Sequence, residues 1–248
     1  MLAFAKTGRG ERVVLVHGFT QTRETWTKTV AELNQTHEVI AIDAPNHGES
    51  SDISLNLESG AKAIGEVGGR ATYLGYSLGA RFCLTLALAE PQNVARLVLV
   101  SATAGIEDKQ SRLDRIKSDE ALATQIEQDG IEKFVDSWLS LPLFRGLSAE
   151  TNQREMRLKN STIGLSSSLR LCGAGRQQPT WSRLRELTMP VLVIAGTNDQ
   201  KYLALAKRLV SEIGNNAELV EIKNSGHTPH LEQPEIFLTH LKKFLSST

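Results

Sequence analysis

The sequence predicts an α/β protein built on a mostly parallel, doubly wound sheet with an inserted helical segment. Two observations lead to this prediction: short apolar runs recur along the 248 residues, and helical patterns separate them. A third observation is that one long interval, about residues 105–186, contains helical patterns but no convincing strand. Such an interval is typical of a helical cap inserted between two core strands.

The apolar runs lack polar alternation, which favours strands that are covered on both faces, as in a parallel sheet. We predict strands at Val13–Val16, Val39–Ile42, Thr72–Leu74, Leu97–Val100, Val191–Ala195 and Leu219–Ile222. The helices between them are predicted at Trp26–Leu33, Leu57–Val67, Leu78–Leu88, Tyr202–Ile213 and Pro234–Leu245. The predicted core therefore comprises residues 1–104 and 187–248, and residues 105–186 form the cap.

Composition excludes several classes of partner. Lys+Arg and Asp+Glu each number 28, so the net charge is zero and nothing indicates binding to nucleic acid or to an anionic membrane. The N-terminal stretch is not typical of a signal peptide, and no apolar run reaches membrane-spanning length. Cys83 and Cys172 have neither metal-ligand nor redox spacing, which favours reduced thiols in the cytoplasm. The oligomeric state stays open, and a monomer is compatible with the sequence.

The segment LGYSLGARFC, residues 74–83, contains a serine flanked by glycines two positions away on either side. It follows a predicted strand and opens a predicted helix, which is the context of a nucleophile elbow. Ser77 would lie at the helix N-terminus, where unpaired N–H groups face a developing anion. An ordinary strand–turn–helix connection is the alternative for these few residues taken alone.

Two further side chains occur in the order that a serine triad requires. Asp199 follows the predicted strand VLVIAG, and His227 lies in the loop KNSGHTPHLEQP before the last predicted helix. The order Ser, Asp, His is the one found in α/β proteins with a nucleophile elbow. We therefore predict that His227 takes the proton of Ser77 and that Asp199 orients the imidazole.

The segment HGFTQT directly after the first strong strand predicts an oxyanion hole. The backbone N–H groups of Phe19 and Leu78 could together stabilise a developing negative charge. The spacing His227-x-x-His230 occurs in a loop without other zinc-type ligands, so we predict no metal. For His230, both a substrate contact and a structural role remain open.

Arg81 lies four residues after Ser77, so a helix would place both side chains on one face. A buried guanidinium is costly without an anionic partner, and its planar fork binds a carboxylate bidentately. Several arginines also occur in the predicted cap. Arginines that converge from core and cap would suit a small substrate with more than one carboxylate.

The chain resembles the family of 2-succinyl-6-hydroxy-2,4-cyclohexadiene-1-carboxylate synthases, lyases of menaquinone and phylloquinone biosynthesis with the α/β-hydrolase fold. The segments that carry the resemblance are HGFTQTRETW, DAPNHGES, GYSLGAR, FVDSWLSLPLF, REMRLKN, CGAGRQQPTW, MPVLVIAGTND and SGHTPHLEQP. The elbow and HGF are shared across the superfamily. GYSLGAR with its arginine and the two cap segments are particular to the family.

The resemblance implies an enzyme without a cofactor, in which the triad removes a proton from 2-succinyl-5-enolpyruvyl-6-hydroxy-3-cyclohexene-1-carboxylate and pyruvate is eliminated. It assigns Ser77, Asp199 and His227 to the triad and Phe19 and Leu78 to the oxyanion hole. It also assigns substrate contacts to the side chains Arg81, Arg115, Arg157, Trp138, Tyr76 and Phe144. Its implied partner is a small polycarboxylate.

Two other functions remain open at this point. A serine hydrolase on the same fold, either a carboxylesterase or a carbon–carbon-bond hydrolase, would use the same triad. A catalytically silent ligand-binding protein would keep the fold without using the triad. Arg81 distinguishes the lyase from an esterase, since an apolar ester offers this guanidinium no partner.

Overall fold

The computed structural model describes residues 1–246. Its sheet has seven strands, β1 to β7, whose bounds are Phe4–Thr7, Glu11–Val16, His37–Ile42, Ala71–Tyr76, Val94–Val100, Val191–Gly196 and Ala217–Ile222. Their order across the sheet is β1-β3-β2-β4-β5-β6-β7. Every pairing is parallel except that of β1 with β3. The predicted doubly wound, mostly parallel sheet is thus confirmed.

Nine α-helices lie within residues 1–246, and both faces of the sheet are covered. Helices α1 to α9 have the bounds Thr27–Leu33, Leu57–Gly68, Leu78–Ala89, Lys109–Leu139, Arg154–Arg157, Thr162–Cys172, Gln200–Ile213, Pro229–Glu232 and Pro234–Ser246. One face packs against apolar side chains of α2, α3 and α7, and the other against α1 and α9. Double coverage explains why β4 and β6 are buried along their whole length.

One strand was not predicted. The segment FAKT of β1 is exposed at all four residues and has no apolar run that would indicate a strand. It forms because the backbone of β3 offers an open ladder, with Phe4 opposite Ile42 and Thr7 opposite Val39. Strand β1 is therefore determined by its pairing with β3, and its own residues do not indicate a strand.

The interval between β5 and β6 contains α4, α5 and α6, and α4 packs mainly against α6. Their contact has its own apolar cluster, which includes Ala123, Phe134, Leu165 and Leu169. Helix α4 is kinked at Gly130, whose φ of 77° and ψ of 170° are not helical. The kink divides α4 into a first part that follows α6 and a second part that carries Trp138.

Within residues 1–246, no helix combines the length and the apolar character needed to cross a lipid bilayer. Parallel strands joined by helices place their carboxyl ends at one edge of the sheet, where such folds bind ligands. The segments after β2, β4, β6 and β7 carry Phe19, Ser77, Asp199 and His227, respectively. The fold therefore gathers these side chains at one edge.

Candidate active site

Ser77 follows β4 directly and precedes α3, in a backbone conformation that non-glycine residues seldom adopt. Its φ is 51° and its ψ is −106°. The tight turn depends on the two flanking glycines. A Cβ at Gly75 would lie 2.3 Å from the carbonyl oxygen of Gly79, and a Cβ at Gly79 would lie 2.1 Å from that of Val16. The elbow thus holds Ser77 at the N-terminus of α3, with strain that close packing maintains.

The structure brings Ser77, His227 and Asp199 together. The Nδ1 atom of His227 lies 2.7 Å from Oδ2 of Asp199, and its Nε2 atom lies 3.3 Å from Oγ of Ser77. A carboxylate only accepts hydrogen bonds, so Nδ1 carries the proton and Nε2 presents its lone pair to the serine hydroxyl. This is the arrangement in which a serine loses its proton to histidine.

Asp199 and the loop of His227 are each held by further hydrogen bonds. Oδ1 of Asp199 accepts the Tyr202 N–H at 3.2 Å and so caps the start of α7. The carboxylate of Glu232 accepts the N–H groups of Gly226 at 2.6 Å and Thr228 at 2.9 Å, on either side of His227. The Thr228 hydroxyl also donates to Glu232, at 2.7 Å. Sequence reasoning missed Glu232, although its spacing of four residues from Thr228 is a possible signal.

Phe19 and Leu78 both line the cavity beside Ser77. The N–H of the neighbouring Gly18 donates to Oε1 of Gln21 at 3.1 Å and is therefore occupied. Within residues 1–246, no hydrogen bond engages the N–H of Phe19 or that of Leu78. Two donors next to the nucleophile are thus available to a developing oxyanion.

A cavity of about 480 Å³ opens at this edge of the sheet. Predicted site residues that line it are Phe19, Tyr76, Ser77, Leu78, Arg81, Arg115, Trp138, Phe144, Asp199 and His227. A larger concavity of about 690 Å³ lies at the amino ends of the strands, lined by residues such as Arg12 and Arg96. The chemistry lies in the smaller cavity, because the carboxyl ends of the strands carry the triad.

Arg81 is buried at the wall of the cavity and tethers the inserted segment to α3. Its guanidinium donates to the carbonyl oxygen of Cys172 and, at 3.4 Å, to Oε1 of Gln177. Burial lowers the pKa of Arg81 from its ordinary value. Among the described residues no carboxylate lies within ion-pair distance of Arg81, and the charge of Asp119 acts on it only from further away.

Arg115 differs from Arg81 because a carboxylate holds it. Its Nε donates to Oδ1 of Asp119 at 2.7 Å, one helical turn along α4. The Arg115 side chain is 40% exposed, whereas that of Asp119 is 6% exposed. Both residues line the cavity, so a ligand carboxylate would meet Arg115 already oriented.

Arg157 and His230 lie behind the cavity wall. Arg157 is 1% exposed, donates from Nε to the Asn152 carbonyl at 2.9 Å, and lies over the Phe144 ring at 5.6 Å. Burial lowers the pKa of Arg157 to about 10. His230 packs between the rings of Trp26 and Tyr76, at centroid distances of 4.7 and 4.5 Å. A direct substrate contact of Arg157 or His230 stays a prediction.

Aromatic rings form the part of the wall that faces the inserted segment. Trp138 lies 5.3 Å from Phe19 and 5.7 Å from Phe144, measured between ring centroids. Sequence reasoning missed Lys201, Tyr202 and Asp119 as lining residues. A signal existed for Lys201 and Tyr202, because the first turn of a helix that starts at a catalytic aspartate must lie at the site.

His17 and His47 are fully buried beneath the oxyanion loop. Nε2 of His17 accepts the Ala44 N–H at 3.0 Å, and Nδ1 of His47 lies 2.9 Å from the Pro45 carbonyl oxygen. Burial lowers the pKa of His17 to about 4 and that of His47 to about 3. Both imidazoles are neutral: His17 connects its loop to that of Ala44, whereas His47 bonds within its own loop and packs against His17.

Comparison with known proteins places this geometry in a family. Residues 13–239 match the model of the alpha/beta hydrolase family. A Bacillus subtilis protein provisionally named 2-succinyl-6-hydroxy-2,4-cyclohexadiene-1-carboxylate synthase is 34% identical, over 96% of this chain and 91% of its own length. The structure of MenH from S. aureus superposes with a TM-score of 0.92 at 30% identity, covering 98% of this chain and 97% of that one.

An esterase is also among the relatives. The pimeloyl-[acyl-carrier protein] methyl ester esterase of Nitrosomonas europaea is 29% identical over 94% of this chain and 95% of its own length. A protein named as a hydrolase is thus similar along nearly the whole chain, while the Bacillus subtilis relative at 34% and the S. aureus MenH structure at 30% are more identical to this chain than that esterase is. The chain belongs to the alpha/beta hydrolase family and, within it, to the family of 2-succinyl-6-hydroxy-2,4-cyclohexadiene-1-carboxylate synthases.

Proposed function

We propose that this enzyme eliminates pyruvate from 2-succinyl-5-enolpyruvyl-6-hydroxy-3-cyclohexene-1-carboxylate and yields 2-succinyl-6-hydroxy-2,4-cyclohexadiene-1-carboxylate. The observation that carries the proposal is the buried guanidinium of Arg81, which shares a cavity with Ser77 and lacks a carboxylate partner among the described residues. A polycarboxylate would supply the missing anion. The names of the relatives support the same reaction.

The triad supplies the base. His227 accepts the hydroxyl proton of Ser77 at Nε2, and Asp199 stabilises the imidazolium through Nδ1–H. The Ser77 oxygen then takes a proton from a ring carbon of the substrate. The electron pair left on that carbon, C2, forms a C2=C3 bond, the ring C3=C4 bond shifts to C4=C5, and the C5–O bond to the enolpyruvyl group breaks, which gives the 2,4-diene. The released enolate takes up a proton and leaves as pyruvate, without an acyl-enzyme.

Electrostatic stabilisation comes from groups that are oriented before the substrate binds. Removing a proton from carbon builds negative charge, which the N–H groups of Phe19 and Leu78 are placed to accept. Arg81 and Arg115 would hold substrate carboxylates and aim the acidic C–H at Ser77. Tyr76, Trp138 and Phe144 would form the apolar part of the pocket.

We further propose that residues 105–186 form a cap over the cavity. The separate apolar cluster of α4 and α6 supports this division, as does the contribution of Arg115, Trp138 and Phe144 to the cavity wall. We also propose that the enzyme acts in the cytoplasm on a free small molecule. Both cysteines are unpaired and buried, which agrees with a reducing compartment.

A serine carboxylesterase is the second candidate, favoured by the intact triad and by the Nitrosomonas relative. One assay separates the two. The purified enzyme is given the enolpyruvyl precursor, and pyruvate is followed by NADH oxidation with lactate dehydrogenase. We expect release well above the spontaneous rate and its loss in Ser77→Ala.

Short aryl esters provide the contrasting measurement. Aryl ester turnover that exceeds pyruvate release in kcat/KM would support the esterase. Pyruvate release at the spontaneous rate in the unmodified enzyme would refute the synthase. If Ser77→Ala released pyruvate as fast as the unmodified enzyme, Ser77 would not take part in the reaction.

A further inference from the structure

Tyr202 contacts the catalytic histidine and the cavity at once. It lies in the first turn of α7, and its ring meets the imidazole of His227 edge to face at a centroid distance of 4.4 Å and an interplanar angle of 61°. Tyr76 packs against the same imidazole, at 5.5 Å. The backbone N–H of Tyr202 also holds Asp199, at 3.2 Å. The histidine is thus confined by two aromatic rings and one carboxylate.

The Tyr202 hydroxyl lies among the cations of the cavity wall. Burial raises the pKa of Tyr202, and the charges of Arg115 and Arg81 oppose this shift from nearby. The hydroxyl therefore stays protonated at neutral pH and can donate a hydrogen bond. Within residues 1–246, it forms no hydrogen bond, although Tyr202 lines the cavity. Tyr202 is half-buried and its hydroxyl is not among the fully buried unpaired atoms, so this donor is accessible from the cavity and free to bind an anionic ligand.

We propose that Tyr202 has two separable roles in the proposed reaction, on which this inference rests: its ring positions His227, and its hydroxyl binds a substrate carboxylate beside Arg81 and Arg115. The ring role follows from the edge-to-face contact, which limits rotation of the imidazole away from Ser77. The hydroxyl role follows from the shared cavity wall. Tyr202 is a positioning residue through its ring and a binding residue through its oxygen.

Two substitutions separate the roles. Tyr202→Phe keeps the ring and removes the oxygen, so KM for the enolpyruvyl precursor should rise about tenfold while kcat changes little, since a hydrogen bond to a charged group is lost. Tyr202→Leu removes the ring as well, and kcat should also fall by about tenfold because the imidazole is no longer confined. Tyr73→Phe is a matched control, because its hydroxyl bonds to the Gly69 carbonyl, away from the cavity.

Covalent labelling of Ser77 provides a readout that does not require turnover. A fluorophosphonate reacts with a serine that histidine activates, so Tyr202→Leu should react about tenfold more slowly and Tyr202→Phe at the unmodified rate. Protection from labelling by 2-succinylbenzoate, a dicarboxylate with the same carbon skeleton, measures ligand binding alone. Tyr202→Phe should need about ten times more of it for half protection.

The outcomes that would overturn the proposal are distinct. An unchanged KM and an unchanged half-protection concentration in Tyr202→Phe would refute the hydroxyl role. Labelling of Tyr202→Leu at the unmodified rate would refute the ring role. Absence of pyruvate release and of protection in the unmodified enzyme would refute the proposed function and the hydroxyl role together, while the labelling rates would still decide the ring role.

Discussion

Arg81 combines a charge that lacks an anionic partner with two neutral acceptors from the inserted segment, the Cys172 carbonyl and the Gln177 amide oxygen. Desolvation of a guanidinium is expensive, and neutral acceptors only partly compensate for it. The tethers fix the direction of the fork before any ligand arrives. A preoriented, desolvated cation interacts with an incoming carboxylate more strongly than an exposed one would.

Replacing Arg81 by alanine should therefore lower kcat/KM for pyruvate release by about 100-fold or more, on the order of 3 kcal/mol in transition-state stabilisation. Arg81→Lys keeps a charge but lacks the planar fork, so its kcat/KM should lie between those of alanine and arginine. Arg176→Ala is the control, because Arg176 is exposed in the same segment that Arg81 tethers. A value for Arg81→Ala within threefold of Arg176→Ala would show that this charge does not bind substrate.

Single site residues could be predicted from the sequence where a local motif contains them. Ser77, Asp199 and His227 could be located because each follows a strand within a recognisable segment, and chain order assigns their roles. The burial of His230 behind Tyr76 could not be predicted, since the path of the loop after His227 depends on Trp26 from another element. The hydrogen bond of Arg81 to Cys172 likewise depends on how the insertion folds back.

Among the elements, α4 contains the clearest departure from regular geometry. A Cβ at Gly130 would meet nothing within 4 Å, so space does not require glycine there. Glycine is favoured by the positive φ of 77°, because residues with a side chain rarely adopt this backbone conformation. The kink directs residues 131–139 so that Phe134 is buried and Trp138 reaches the cavity.

Gly130→Ala should destabilise the protein by about 1–2 kcal/mol and raise KM by roughly one order of magnitude, since a straighter helix would displace Trp138. Gly214→Ala is a matched control: its φ of 103° is also positive, a Cβ there also meets nothing within 4 Å, and it ends α7 away from the cavity. Urea unfolding and pyruvate kinetics measure the two effects. Equal KM values for both variants would show that the kink does not position Trp138.

The elements of the core were predictable because their signals are local. Buried strands are short apolar runs, and the predicted bounds of β2 to β7 fall within the observed strands. The exposed strand β1 escaped prediction because its pairing partner, rather than its composition, determines it. The pattern of residues 114–139 predicts at least one amphipathic helix, and α4 contains that segment, but the kink could not be predicted because glycine in a helical pattern more often indicates an end.

For the whole molecule, three buried histidines connect stability to pH. Burial lowers the pKa of His17 to about 4 and those of His47 and His230 to about 3, from an ordinary value of 6.5. Between these values the unfolded chain binds more protons than the folded protein. Stability should therefore be fully present above pH 6.5 and should fall as the pH is lowered towards 4.

We expect the free energy of unfolding to decrease between pH 7.5 and pH 5 by on the order of 2 kcal/mol for each of these histidines. Urea unfolding at several pH values measures the decrease. His230→Phe should show a smaller decrease than the unmodified protein, because one of the three groups is removed while the neighbouring aromatic rings remain. A free energy of unfolding that stays constant over this range would contradict the expectation.

The two edge strands of the sheet, β1 and β7, differ in how they would oppose pairing with a second copy of the chain. Strand β1 shields the margin of β3 with a short, exposed segment, whereas β7 leaves its outer backbone groups unpaired within the described sheet. Exposed Glu218 and Glu221 lie along β7. Glu221 pairs with Lys207 at 3.1 Å, so the charge of Glu218 remains. Two copies that met along β7 would bring their Glu218 carboxylates close together, and this repulsion would oppose the intermolecular sheet extension from which aggregates grow.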